Sequence, residues 1–147
     1  MVQIGGDLPM TPKEYLKQTD TMKKHINSLE VDLEEMRALS CSVSAVRYDE
    51  ERINNGTRNT EAPFIRSLER IADMESKIEN AKHALLSLKL DISEAIDLLE
   101  DVDERALLRA RYVNGKSWRM IAKQMCYSQS TVHRIHSNAL MHFSVPN

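Results

Sequence analysis

The sequence predicts an all-α protein: a long helical hairpin or coiled coil followed by a helix-turn-helix module. Three observations carry this expectation. Four Gly, four Pro and 5% aromatic residues in a chain of 147 argue against a loop-rich β fold. Two long segments repeat apolar residues at helical spacing. Acidic residues stop at Glu104, so that residues 105–147 hold seven Lys/Arg and no Asp/Glu, whereas residues 1–104 hold 13 Lys/Arg against 22 Asp/Glu. The length suits one ordinary domain, or a small module on an extended helical arm.

Residues 1–10 contain Gly-Gly and Pro without periodicity and read as a loose leader. Thr11-Pro12-Lys13-Glu14 then offers an N-cap, a first-turn proline and a glutamate placed to close a capping box. Met22, Ile26, Leu29, Leu33, Met36 and Val43 follow at helical steps and define a one-faced helix of roughly 30–40 residues. Its end is expected between residues 39 and 53, with Ser40-Cys41-Ser42-Val43-Ser44 as a weak stretch. The turn formers of residues 54–63, Asn54-Asn55-Gly56 and Pro63 among them, reverse the chain.

A second stripe runs through Phe64, Leu68, Ile71, Met74, Ile78, Ala81, Leu85, Leu88, Ile92, Ile96 and Leu99, about 54 Å of helix at 1.5 Å per residue. A stripe this narrow on so long a helix has to be buried against another helix. Residues 11–100 are therefore expected to form an antiparallel arm, which a homodimer sharing its arms would satisfy equally well. Residues 101–147 form the second domain. There, Asp101 and its acidic neighbours start a third helix with Leu107, Leu108 and Tyr112 on one side, and Asn114-Gly115 ends it. Ser117 caps a fourth helix, Trp118–Met125, and Ser128 a fifth, Gln129–Phe143.

Trp118 to Leu140 has the pattern of a helix-turn-helix. Ala122 falls at the close approach of the two helices, and Ile121, Met125, Val132 and Ile135 form the seam. Gln129, Ser130, His133, Arg134 and Ser137 take the outward places of the last helix, the part that reaches base edges in a major groove. Lys116, Ser117, Arg119, Lys123 and Ser128 flank it as phosphate contacts, supplied by cationic side chains and by helix N-termini. A plain three-helix packing motif is the competing reading, and the acid-free C-terminal block weighs against it. Trp118 is expected to pack on Tyr112 and the third helix. His133, His136 and His142 read as exposed groups on a DNA-facing helix rather than as metal ligands.

Residues 103–143, from Asp-Glu-Arg-Ala-Leu-Leu-Arg-Ala-Arg-Tyr through Ser-Trp-Arg-Met-Ile-Ala to Tyr-Ser-Gln-Ser-Thr-Val-His-Arg-Ile-His, resemble region 4 of the sigma-70 class of RNA polymerase sigma factors. The whole chain is similar to small phage and prophage proteins of Gram-positive bacteria that carry this module and are grouped with late-gene transcription regulators. The resemblance implies binding of promoter DNA through Gln129, Ser130, His133 and Arg134, with host RNA polymerase as a second partner. The family's turn usually has Gly where this chain has Cys126. Either Cys126 adopts a left-handed backbone at a cost of about 1 kcal/mol, or the turn is built differently. Nothing resembles the sigma region that melts promoters, so the protein is not expected to open DNA by itself.

The expected function is thus transcriptional regulation by sequence-specific binding of double-stranded DNA. The alternative is a factor that docks on host RNA polymerase, or competes with the host sigma factor, without strong DNA binding of its own. No catalytic order of Ser, His and Asp, no phosphate-binding Gly loop and no metal motif stands out, so neither an enzyme nor a cofactor or metal is expected. Cys41 and Cys126 lie far apart with no zinc-ligand spacing around them. No apolar run is long enough for a bilayer, which together with free thiols suggests the cytoplasm, and the resemblance implies that of a bacterial host.

Overall fold

The computed structural model describes residues 8–50 and 61–147, with side chains described at 8–42 and 63–147. The first seven residues of the leader, the reversal expected at 54–60 and the side chain of Val43 lie outside these. The described residues are all-α: α1 (Pro12–Glu50), α2 (Glu61–Asp97), α3 (Val102–Leu108), a π-helical turn (Arg109–Val113), α4 (Trp118–Met125) and α5 (Gln129–His142). None of the described helices is long and apolar enough to cross a membrane.

The first helix starts as its sequence dictates. The Thr11 hydroxyl accepts from the Glu14 amide at 3.3 Å and the Glu14 carboxylate accepts from the Thr11 amide at 2.8 Å, which holds the Glu14 carboxyl below the usual range. The weak stretch at 40–44 does not interrupt the helix, which runs to Glu50. Pro63, expected in the reversal, belongs to the first turn of α2, where its missing N–H breaks no helical hydrogen bond.

Residues Met22–Ala84 form one compact unit. In it α1 and α2 run antiparallel: Glu30 pairs with Lys82 at 2.8 Å, while Arg37, further along α1, pairs with Glu75, earlier in α2, at 2.6 Å. Between these pairs Leu29, Leu33 and Ile78 are buried, with Ile71 and Met74 packed against them. The ion pairs are half exposed and contribute under about 1 kcal/mol each, so apolar burial holds the helices together. Leu68 departs from the expected stripe and is 47% exposed.

The second unit joins the residues up to Thr21 to Leu85–Asn147. The sequence places a domain boundary at residue 100, yet the core continues through it. Leu16 lies in one buried cluster with Ile92, Ile96, Leu99, Leu107, Leu108, Ile121, Val132 and Phe143. Thr19, fully buried, donates from Oγ1 to the Tyr112 carbonyl at 2.9 Å, and Tyr15 packs on Phe143 with ring centroids 6.0 Å apart. The physical reason is that the α1 stripe extends back past Met22 to Thr19, which bonds to Tyr112, and to Leu16, which shares a core with Ile92 and Ile96 in the last turns of α2.

Asp101 caps α3 by accepting from the Glu104 amide at 3.0 Å, and Arg105 donates to the Leu99 and Glu100 carbonyls at 2.6 and 3.3 Å. The third helix is not α-helical to its end: it widens at Arg109 into the π turn, closed by Asn114 N–H to Arg109 O at 3.0 Å and Lys116 N–H to Ala110 O at 2.9 Å. Gly115, at φ 67°, supplies the left-handed exit that Asn-Gly was expected to give. Glu104, buried, lies 3.0 Å from His142 Nδ1 through both carboxylate oxygens, and the Tyr127 hydroxyl donates to Asp103 at 2.8 Å. Both contacts tie the α5 region to α3.

Between α4 and α5 the first of the two alternatives for the turn holds: Cys126 has φ 59° and ψ 34°. Tyr127 N–H then reaches Ala122 O at 3.1 Å, and Ala122 and Ile121 are buried. Cys126 and Cys41 are both free and exposed. Because a Cβ is disfavoured in this backbone region and the Cys126 side chain is not part of the core, Cys126→Gly is expected to raise stability by about 1 kcal/mol. Urea or thermal unfolding would show this as a higher midpoint; a lower one would contradict the assignment of strain to this residue.

Candidate nucleic-acid interface

The two faces of α5 are set by its buried stripe. Val132, His136 and Ala139, followed by Phe143 just past the helix, recur in steps of four, three and four, and all are buried. The opposite side exposes Gln129, Ser130, His133, Arg134 and Ser137, the five residues expected to read bases. They span about 12 Å of one helix. Among the described residues Gln129 and Arg134 have no side-chain hydrogen bond, and neither does His133, which packs on Trp118. The two serines are partly engaged: Ser130 Oγ lies 3.1 Å from Ser128 Oγ, and Ser137 donates to the His133 carbonyl at 3.1 Å.

The expected phosphate contacts divide in the same way. Arg119 and Lys123 are exposed on α4. Lys116 is half-buried and donates to Gln124 Oε1 at 2.6 Å. The hydroxyls of Ser117 and Ser128 cap α4 and α5, accepting from the Met120 and Thr131 amides at 3.3 Å each, so the amides left for an anion are those of the first helical turns. The basic block is not uniform either. Arg109 is bound to Asp97 and, at 3.2 Å, to Ser93, and Arg105 is spent on the carbonyls at the end of α2. Arg111, Lys116, Arg119, Lys123 and Arg134 remain.

Arg111 was not legible as part of this surface. Its guanidinium lies 4.7 Å over the Trp118 ring and donates to the Lys116 carbonyl at 3.0 Å. Trp118 packs, as expected, against the core that holds Tyr112, Leu107 and Leu108, and it also makes contacts that were not expected. Its indole meets His133 and His136 of α5, with ring centroids 4.8 Å apart in each case, because His136 stands against both aromatic rings, stacked at 5.9 Å from Tyr112. A continuous path thus runs from Gln124 and Lys116 through Arg111 and Trp118 to His133 on the outer face of α5.

The three histidines do not behave alike, contrary to the expectation of an exposed run. His136 is buried, with Nε2 2.8 Å from the Tyr112 hydroxyl. The sequence signal was present, since His136 falls on the stripe of Val132, Ala139 and Phe143. Burial first, then the positive charges of Lys13, His133 and Arg111, push its pKa down to about 4, and burial pushes Tyr112 up. His136 is therefore neutral near pH 7. A depressed histidine contributes stability that is complete above the unfolded pKa near 6.5 and is lost as the pH falls toward 4, because the unfolded chain takes up the proton first. The loss expected over that window is about 2–3 kcal/mol. Urea midpoints measured from pH 7 to pH 4 should fall accordingly, and His136→Gln should flatten that fall; an equally steep fall in the variant would contradict the assignment.

Residues 42–144, well over half of the chain, match the family model described as "Protein of unknown function (DUF1492)". No curated protein and no solved structure matches the chain. The match extends from the latter part of α1 past the end of α5 and so includes every residue of the interface above. The chain belongs to the DUF1492 family.

Proposed function

We propose that this protein is a sequence-specific DNA-binding regulator of transcription, with α4 and α5 as its helix-turn-helix and α5 as the helix that enters the major groove. The observation that carries the reading is the outer face of α5. Gln129, His133 and Arg134 are exposed there, and Arg119, Lys123 and the Arg111–Lys116 pair come from the preceding elements. An α-helix with side chains, about 10–12 Å across, fits a major groove of about 12 Å. Arg suits guanine O6 and N7, Gln suits adenine N6 and N7, and each good pair discriminates by about 1–3 kcal/mol. The likeness of residues 103–143 to sigma region 4 points to promoter DNA as the target and to a phage-encoded regulator acting in a bacterial cytoplasm.

The reading also takes the working form as a homodimer through the arm. Val31 and Leu39 of α1 and Ile65 and Leu68 of α2 are 58%, 66%, 50% and 47% exposed, and a second chain would cover them. Light scattering should then give twice 16.9 kDa; a mass of one chain at every concentration would remove the dimer from the account.

Selection of bound duplexes from a random pool should enrich one motif. Replacing His133 and Arg134 together by Ala should bring the enriched duplex down to the affinity of random DNA. Lys123→Ala should weaken all duplexes alike and reduce the slope of log affinity against log salt by about one unit. No enrichment with the intact protein, alongside capture of RNA polymerase, would replace this reading by one in which the module docks on the polymerase.

A further inference from the structure

The chain has one tryptophan, and its surroundings are unusual for a core residue. Trp118 is the first residue of α4, directly after the Ser117 cap, and it is only half-buried. Besides the apolar core it packs against, it has polar neighbours: the Arg111 guanidinium 4.7 Å from the ring centroid, the His133 imidazole tilted at 48°, and the His136 ring edge-on at 75°. An indole presents a negative face, which attracts a guanidinium and the positive edges of imidazoles. Two elements, the π turn on one side of the sequence and α5 on the other, thus each place a ring or cation against this one side chain of α4. Arg111 is fixed twice, since one guanidinium nitrogen also donates to the Lys116 carbonyl at 3.0 Å. Its other nitrogens carry the remaining N–H donors.

Long or exposed side chains normally lose rotamer freedom when they bind, which lowers affinity. Here that freedom is already reduced for one group on the reading face and one cation beside it. We propose that Trp118 is a positioning residue for DNA recognition: its indole holds the His133 imidazole toward a base edge and the Arg111 guanidinium toward a backbone phosphate, which makes Arg111 a DNA contact. This rests on the function proposed above. Trp118 touches no base in this arrangement and acts through its two neighbours.

The test compares Trp118→Leu, Trp118→Phe, His133→Ala and Arg111→Ala on the duplex that the unaltered protein selects, after urea unfolding has shown which variants are folded. Trp118→Leu should lower discrimination at the base pair read by His133 by about tenfold, and so should His133→Ala. The double variant should be no worse than either single one, and Trp118→Phe should keep most of the discrimination because an aromatic face remains. Arg111→Ala should weaken every duplex alike and lower the salt slope by about one unit.

Full discrimination in a folded Trp118→Leu, or losses that add in the double variant, would overturn the proposal, as would an unchanged salt slope in Arg111→Ala. Should Trp118→Leu fail to fold, Trp118→Phe and Arg111→Ala decide on the same terms. If the intact, folded protein selects no duplex, the proposed function and this inference fall together; if it selects one and Trp118→Leu is indifferent, only this inference falls.

Discussion

The seat of α5 depends on a histidine kept neutral in the core. His136 occupies a position of the buried stripe that an aliphatic residue would fill more simply, and it bonds there to the Tyr112 hydroxyl at 2.8 Å while packing against Trp118. A charged imidazole in this place would face Lys13, Arg111 and His133, so burial and these neighbours favour the neutral ring. With His136, Val132 and Ala139 turned inward, geometry leaves Gln129, His133 and Arg134 facing outward. The reading face proposed for DNA is the complement of that buried stripe.

The module is also not self-contained. Tyr112, the partner of His136, lies in the π turn, and its carbonyl receives the hydroxyl hydrogen of Thr19 from α1. Leu16, Ile92 and Ile96, all fully buried, share the core of the C-terminal helices. A chain cut at residue 100 would lose these contacts and leave the buried side of Leu107, Leu108 and Val132 open to water, a cost of about 1.5–3 kcal/mol for each large side chain exposed. The start of α1, up to Thr21, and the end of α2, from Leu85, are thus part of the unit that orients α5.

Much of this was legible in the sequence because local signals agreed with one another. The capping box at Thr11–Glu14, the caps at Asp101, Ser117 and Ser128, and the buried Leu107, Leu108 and Tyr112 all follow from short-range pattern and appear in the structure. The antiparallel pairing of α1 and α2 follows from two matched stripes. Other features were present in the pattern and passed over: Leu16 and Thr19 continue the first stripe, and His136 sits in step with Val132 and Ala139. The rest required tertiary knowledge. The widening of the third helix at Arg109, the loss of Arg105 and Arg109 from the basic surface to carbonyls and to Asp97, and the gathering of Arg111 and His133 on Trp118 depend on residues distant in sequence. Counting charge along the chain cannot separate a cation used internally from one left for a ligand.

The central claim is that the outer face of α5, bordered by the cations of α4 and the π turn, is the surface that meets DNA. Nuclear magnetic resonance of the full chain titrated with its selected duplex tests it most directly, because each side chain reports for itself. The account predicts that shifts concentrate at Gln129, Ser130, His133, Arg134 and Ser137, with Arg111, Arg119 and Lys123 beside them, while Glu104, His142 and the Leu29–Ile78 core stay unchanged. Shifts confined to the arm, or centred on His142 and Glu104 with the α5 outer face silent, would contradict it.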